Sequence, residues 1–506
     1  MIETTHIESL IEKPSVPVKS NPKNDAFSIF LLLVLYTLQG VPLGFSYAMQ
    51  ILIHSIPKSS YYKQAEFSLV VWPFSLKLLW APLVDSMFSR KLGRRKSWLI
   101  PVQYSLGILF FVMGFHIHEW LVNSNKSNIN ALTIMFLISN FLVATQDIIV
   151  DGWAIAMLER QNICYSAICN NAGQAFGMIL GYNLLILLTS ETFRNKWWRI
   201  SSLPGGIVTL QGYFYFWGLM FMIVTTLIAI FKSEKKNIAE PEVDLGIFKT
   251  YKLLFSIMKL PNIKMLAIIL FTVKICFCSI DATYKLKLID GGIAKEDIAT
   301  IESIFTPIRL CFPFIINKFT SQDKFLITFF NTIPYRLLIG MVLTILIYLT
   351  PYFLIQTKAL LVIYKVLLLM IYSLQQLVES IMLLMAVSFY ASISDPKIGG
   401  TNMTLLTTIS NLGLSFSKTG ALWFIEYCTF KQCSTDHTNT CSSKIQEDKC
   451  KLSSGTCQVI IDGFYTETII CIIYGILWYC IFRKTINNLQ SKNVKEWHVE
   501  MKETLY

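Results

Sequence analysis

The sequence predicts an all-α polytopic membrane protein with 12 transmembrane helices in two six-helix bundles, and three observations carry that expectation. Hydrophobic residues make up 54% of the 506 and charged residues only 15%, with a mean hydropathy of +0.52, too apolar for a soluble chain. A helix needs about 20 apolar residues to cross a bilayer core. Twelve segments qualify, near 27–53, 67–86, 97–117, 131–157, 163–190, 209–231, 263–284, 298–317, 334–353, 359–393, 400–427 and 464–482. A charged run from Lys232 to Glu242 divides them six and six, as in a two-bundle transporter.

The expected organisation is a cytosolic tail (1–26), a first bundle (27–231), a solvated cytosolic linker (232–262), a second bundle (263–482) and a cytosolic tail (483–506). The second bundle contains a lumenal cysteine-rich loop (428–463). Residues 1–26 are polar and lack an apolar stretch behind a basic start, so no cleavable signal peptide is expected, and the first span serves as signal-anchor. Within that span Pro42 lies between Gly40 and Gly44, and the second span carries Pro73 and Pro82; each proline weakens helical hydrogen bonding and lets the helix bend. On the fifth span Gly173, Gly177 and Gly181 recur every four residues, a bare strip that another helix can approach closely. It suits either a rocking contact between bundles or static packing. The tenth span is overlong. The two halves echo one another faintly: Asn171-Ala172-Gly173 follows the Asp151-Gly152 helix, and Asn411-Leu412-Gly413 follows Asp395, as a duplication would leave them.

The net charge of +12 is distributed as topology requires. Basic residues concentrate in 90–96, in the linker 232–264 and in the tail from Arg483, which marks that side, and both termini, as cytosolic. No nucleic-acid-binding motif accompanies them.

Cysteines report the opposite compartment. Five of the 12, Cys428, Cys433, Cys441, Cys450 and Cys457, crowd into the loop between the last two spans. That loop has little core of its own and would lie on the lumenal or extracellular side, where oxidation is favoured. Cys433, Cys441, Cys450 and Cys457 are expected to form two disulfides in any of three connectivities, leaving Cys428 at the membrane edge. Zinc is the rival, but no C-x-x-C pair occurs. Asn125-Lys126-Ser127, a glycosylation sequon, falls on the same side. Cys164, Cys169, Cys276, Cys278, Cys311, Cys471 and Cys480 lie in spans as small packing residues.

Ionisable residues inside the membrane cost about 2.5 to 3.5 kcal/mol each on insertion scales, so they face a partner, a cavity or a substrate path. The set is Lys77, Asp147, Asp151, Lys274, Asp281, Arg309, Lys365, Glu379 and Lys418. Asp147 and Asp151 are four apart, hence on one face of the fourth span, with Gln146 beside them and Trp153 nearby. Pairing with buried lysines such as Lys77 or Lys274 is the favoured reading; carrying protons or closing a gate are the others. Lys274 and Asp281 lie seven apart on one side of the seventh span without needing to touch. Lys365, near a span end, suits snorkelling to an interface. Lys77, at mid-depth among Trp72, Phe74 and Trp80, does not.

The stretch Phe74-Ser75-Leu76-Lys77-Leu78-Leu79-Trp80-Ala81-Pro82-Leu83-Val84-Asp85, followed by Gly93-Arg94-Arg95-Lys96-Ser97-Trp98, closely resembles the acetyl-CoA transporters of solute carrier family 33. The resemblance covers nearly the whole chain. It extends through Leu38-Gln39-Gly40-Val41-Pro42, Ala144-Thr145-Gln146-Asp147, Asp151-Gly152-Trp153-Ala154, Gly205-Gly206-Ile207-Val208-Thr209, Pro334-Tyr335-Arg336-Leu337-Leu338, Ser394-Asp395-Pro396 and the cysteine loop. It implies a major facilitator fold in the endoplasmic reticulum membrane that moves cytosolic acetyl-CoA into the lumen for acetylation of proteins and glycolipids. Asp85 with Arg94 and Arg95 is similar to the superfamily's loop between the second and third spans, which latches the cytosolic gate, with Ala81 in place of its usual glycine. Asp147, Asp151 and Asp281 are the further candidates for gating or ion pairing.

The substrate's chemistry adds its own demands. Acetyl-CoA carries a diphosphate and a ribose phosphate, so its path needs fixed cations. Lys77 and Lys274, one per half, are the matching candidates, with Arg309 and Lys418 beside them on the ground of burial and Gln39 and Gln146 as polar lining. Trp72, Trp80 or Trp153 would stack on the adenine. No Walker A sequence occurs, so nucleotide hydrolysis is not indicated and no cofactor or metal is expected. The expected partners are acetyl-CoA, with CoA as an exchange substrate, and the lipid bilayer, without nucleic acid; a homodimer is left open. So is the choice between exchange, downhill flux and proton coupling through Asp147 or Asp151. The alternatives are a permease for another large organic anion, nucleotide-linked or muropeptide-like, and a membrane acetyltransferase. The enzyme reading is disfavoured because His6, His54, His116, His118, His437 and His498 all fall in loops, tails or span ends, where no intramembrane general base is available.

Overall fold

A computed structural model describes residues 25–55, 61–89, 91–122, 128–158, 162, 164–197, 203–232, 246–301, 324–393, 399–435, 440–441, 444–453 and 455–497. Among them, nine helices are long and apolar enough to cross a membrane. They correspond to the expected spans one, three to seven, nine, ten and twelve. The eleventh is a continuous helix, Gly399–Cys428, whose Thr, Ser and Asn residues leave it less apolar. Most of the eighth, with Arg309 and Cys311, lies outside the described residues, as does Asn125-Lys126-Ser127. The overlong tenth span is one helix, Lys358–Ile393.

The second span is not one helix. It runs as Tyr61–Ser68, a 3-10 turn Leu69–Val71, Trp72–Leu76, a second 3-10 turn Lys77–Leu79, and Ala81–Ser86. Pro73 and Pro82 each sit in the first turn of a helical piece, where a missing N–H is tolerated, and so they restart the helix after each break. Lys77 opens the second break. The seventh span shows the same device: Pro261–Thr272, a 3-10 turn Val273–Phe277 that carries Lys274, then Cys278–Asp290.

Side chains bury into two large separate cores. One gathers residues from Leu31 to Ile228 together with Ala299, the other residues from Leu254 to Trp497. The glycine strip of the fifth span works inside the first of these. A Cβ on Gly44 would lie 2.8 Å from Gly181 Cα, and one on Gly177 would lie 2.7 Å from Gly40 Cα, so bare backbone of the first span rests on bare backbone of the fifth. Of the two readings of the strip, the contact is tight packing within the first half. After Met178 the fifth span continues as a π-helical segment, Ile179–Leu184, a bulge of the kind often found at functional sites.

The halves meet through the second and eleventh spans. Ser75 and Ser415 hydroxyls are 2.8 Å apart, Ser68 and Thr419 2.7 Å, and Trp72 Nε1 donates to Thr419 Oγ1 at 3.1 Å. Strands β1 (Phe430–Cys433) and β2 (Cys457–Ile461) form an antiparallel pair in the cysteine loop, with Cys433 opposite Cys457. The disulfides join Cys433 to Cys450 and Cys441 to Cys457, one of the three open connectivities. Cys428 is free.

Candidate functional site

A cavity of about 440 Å³ lies between the halves. The first and second spans and the π-helical bulge of the fifth form one wall; the seventh, tenth and eleventh form the other, with Lys285, Lys418, Asp281 and Glu379 as its charged groups. Bulge residues Tyr182 and Asn183 reach the opposite half. Lys285 Nζ stands 4.6 Å from the Tyr182 ring centroid, and Asn183 Nδ2 donates to the Ala299 carbonyl at 2.8 Å. Tyr284 and Tyr372 stack at 5.5 Å on the lining.

The carboxylates of this cavity are held by a residue behind it. Arg336, on the ninth span and 2% exposed, donates through Nη2 to Asp281 at 2.7 Å and lies 3.6 Å from Glu379. Its guanidinium rests 4.3 Å from the Phe277 ring centroid. Lys274 is surrounded by the charges of Arg336, Glu379, Asp281 and Lys418, and neither Lys274 nor Lys418 makes an ion pair among the described residues. Lys285 and Lys418 on the lining, with Lys274 and Arg336 packed behind it, thus outnumber Asp281 and Glu379, a local cationic excess.

Other expected residues lie elsewhere. Lys77 forms an ion pair with Asp147, the side chains 12% and 7% exposed, and Gln39 Nε2 donates to the same carboxylate at 2.5 Å. Asp151 accepts from Tyr36 Oη at 2.8 Å and Asn170 Nδ2 at 3.0 Å. Gln146 donates to the Leu35 carbonyl. These bonds tie the first, second, fourth and fifth spans together within the first half, and the cavity lining does not include Lys77, Lys274, Gln39 or Gln146. Nor does it include a tryptophan. Trp72 is committed to Thr419, Trp80 to Thr145 and Phe141, and Trp153 is 2% exposed in the first core. The aromatic faces available to a ligand are tyrosine and phenylalanine.

Lys365 is ion-paired with Asp297 at 2.6 Å rather than extended to an interface. Arg95 is buried, its guanidinium packed so closely on Gly152 that a side chain there would collide with it. Arg94 is half-buried, and the Asp85 side chain lies outside the described residues.

Sequence reasoning passed over Lys285, one residue past the assigned end of the seventh span, and Arg336, although the Pro334-Tyr335-Arg336 stretch was conspicuous. An arginine two residues after a proline in an apolar helix was the available signal. Glu467, 4% exposed in the twelfth span, was passed over as well.

At the end of the molecule carrying the disulfides, the halves are joined by polar contacts. His54 Nε2 and Tyr61 Oη bond Asp290 at 2.7 and 2.8 Å, and Tyr61 N donates to Glu426 at 2.9 Å. At the other end Tyr251, on the helix Gly246–Lys259 within the 232–262 segment, donates to the Leu79 carbonyl of the second break.

Comparison with known proteins places this architecture. The Saccharomyces cerevisiae protein called uncharacterized membrane protein YBR220C is 28% identical, over 94% of this chain and 98% of its own length. The anhydromuropeptide permease of Escherichia coli is 27% identical over 148 residues, 28% of this chain and 29% of its own. The crystal structure of the nucleoside transporter NupG superposes with a TM-score of 0.52 at 12% identity, covering 92% of this chain and 99% of that one; this likeness is one of fold. The fold is the all-α major facilitator fold, and the relatives with stated activities are transporters and permeases, not enzymes. The family described as "Acetyl-coenzyme A transporter 1" matches residues 28–245, 236–332 and 335–499, nearly the whole chain, and the protein belongs to that family of membrane transporters.

Proposed function

We propose that the chain carries acetyl-CoA from the cytosol into the endoplasmic reticulum lumen by alternating access, with free CoA as a counter-substrate. The observation that carries this reading is the cationic excess around a cavity shared by both halves. Arg336 engages both carboxylates, so Lys418 on the lining is available to the phosphates of a large anion, Lys274 adds positive charge from behind the lining, and Lys285 lies against the bulge of the opposite half. Fixed ammonium groups in a site shielded from water bind phosphate strongly. Tyr284 and Tyr372 offer flat faces to the adenine. The family description supports the choice of acetyl-CoA.

In this reading 27–231 and 263–482 rock about the cavity, 232–262 links them, and Arg95 against Gly152 stiffens the end at which the cytosolic gate closes. Disulfides form where the compartment is oxidising, so the paired cysteines mark the lumenal end and the basic loop 90–96 the cytosolic one.

Uptake of labelled acetyl-CoA into proteoliposomes containing purified protein tests the proposal, with CoA, ATP and an anhydromuropeptide as competitors. Saturable uptake blocked best by CoA is expected. Uptake equal to that of protein-free vesicles rejects transport of acetyl-CoA, and inhibition by the muropeptide alone moves the substrate class.

A further inference from the structure

Cys278 on the seventh span and Glu467 and Cys471 on the twelfth form a cluster inside the second half, apart from the cavity lining. The two sulfurs are 3.6 Å apart, and one ligand atom from each of the three residues falls within 4.8 Å of the others. Both cysteines are 6% exposed and Glu467 is 4% exposed. Glu467 and Cys471 are four apart and therefore share a helix face, while Cys278 begins the helical segment that follows the 3-10 turn of the seventh span. Glu467 Oε2 has no hydrogen-bond partner among the described residues. A carboxylate oxygen buried without a partner is costly, and simple packing of two thiols does nothing to lower that cost.

We infer that Cys278, Cys471 and Glu467 hold a divalent d10 cation of the zinc class. In a tetrahedral site with metal–sulfur bonds of about 2.3 Å, two sulfurs stand about 3.8 Å apart, close to the separation already present. Two soft sulfur ligands select such a cation over magnesium or calcium. On binding, each thiol gives up its proton and donates a sulfur lone pair to the metal. Two thiolates, one carboxylate and a dication leave a single negative charge, and Arg336 shares the wall of a small void with Cys471, on hand to offset it. The ion would clamp the seventh span to the twelfth beside the Arg336–Asp281 pair and hold that side of the second half rigid.

The test uses full-length protein in lipid nanodiscs, loop disulfides intact, stripped with a chelator and titrated with Cd²⁺, whose thiolate charge-transfer absorption reports direct sulfur ligation. One ion per chain is expected, displaced by Zn²⁺. The absorption is lost in Cys278→Ser and Cys471→Ser, and affinity falls about tenfold or more in Glu467→Gln. Should a serine variant fail to fold, the wild type answers alone: Zn²⁺ protects Cys278 and Cys471 from maleimide, read by peptide mass, while Cys480 stays reactive. Absence of the thiolate absorption, its persistence in folded serine variants, or equal labelling with and without Zn²⁺ overturns the assignment.

Discussion

The Lys77 ammonium is bonded to the Asp147 carboxylate at the point where the second span breaks into a 3-10 turn. Gln39 holds the same carboxylate from the first span, so Asp147 joins three spans of one half. Removing one member of a buried pair leaves the other charge uncompensated, at a cost of about 3 to 5 kcal/mol, whereas replacing both with apolar groups is often neutral. Lys77→Met and Asp147→Leu should each lower thermal stability in detergent sharply, and the double variant should recover most of the loss. Additive losses would show that the two residues act independently.

The glycine contact between the first and fifth spans allows no side chain. A Cβ on Gly177 meets Gly40 Cα and the Thr37 carbonyl, backbone atoms that cannot rotate away. Overpacking of this kind costs about 1 to 3 kcal/mol. Gly177→Ala should lower the melting temperature, while Gly420→Ala, with nothing near its would-be Cβ, should not. Equal melting temperatures for the two variants would remove the close approach as a source of stability.

Most spans and the cysteine loop were legible in the sequence because hydropathy and oxidation state are local signals, available without knowing what packs on what. The cavity was less so. Spacing places Asp147 on a helix face but does not choose its partner, and Lys77 answers it only because Pro73 and Pro82 break the second span around that residue. Trp72, beside the first break, donates to Thr419 of the eleventh span, so its indole serves the contact between halves. Arg336 neutralises Asp281 from a different helix 55 residues away, a relation that no local pattern encodes.

Lys418 lines the cavity and, unlike Lys77, makes no ion pair among the described residues. Lys418→Ala should therefore weaken acetyl-CoA binding about tenfold, equivalent to about 1.4 kcal/mol, with thermal stability unchanged. Lys418→Arg should retain more affinity because the charge remains. Binding measured by competition in nanodiscs separates the outcomes, and wild-type affinity in the alanine variant would place the phosphates elsewhere.

The loop disulfides enclose similar segments, with sequence separations of 17 and 16, and closing a loop of about 15 residues is worth about 3 kcal/mol in the chain-entropy view. Non-reducing peptide mapping should recover Cys433 with Cys450 and Cys441 with Cys457. Cys450→Ser should expose Cys433 to thiol labelling while Cys441 stays protected. A map linking Cys433 to Cys457, its neighbour across β1 and β2, would reverse the assignment.

The second and eleventh spans must part if the halves rock about the cavity, and Ser75 with Ser415 offers a way to stop them. Their hydroxyls are 2.8 Å apart and buried, so cysteines at both positions would bring two sulfurs within reach of a disulfide after small rotamer changes. In Ser75→Cys/Ser415→Cys, a membrane-permeant oxidant should join the spans, visible as a linked peptide pair after digestion. Uptake should stop, and mild reductant that spares the loop disulfides should restore it. Each single variant should transport normally under the same oxidant. Full transport by the cross-linked protein would mean that this contact does not open during the cycle, and the moving surface would then have to lie elsewhere between the halves.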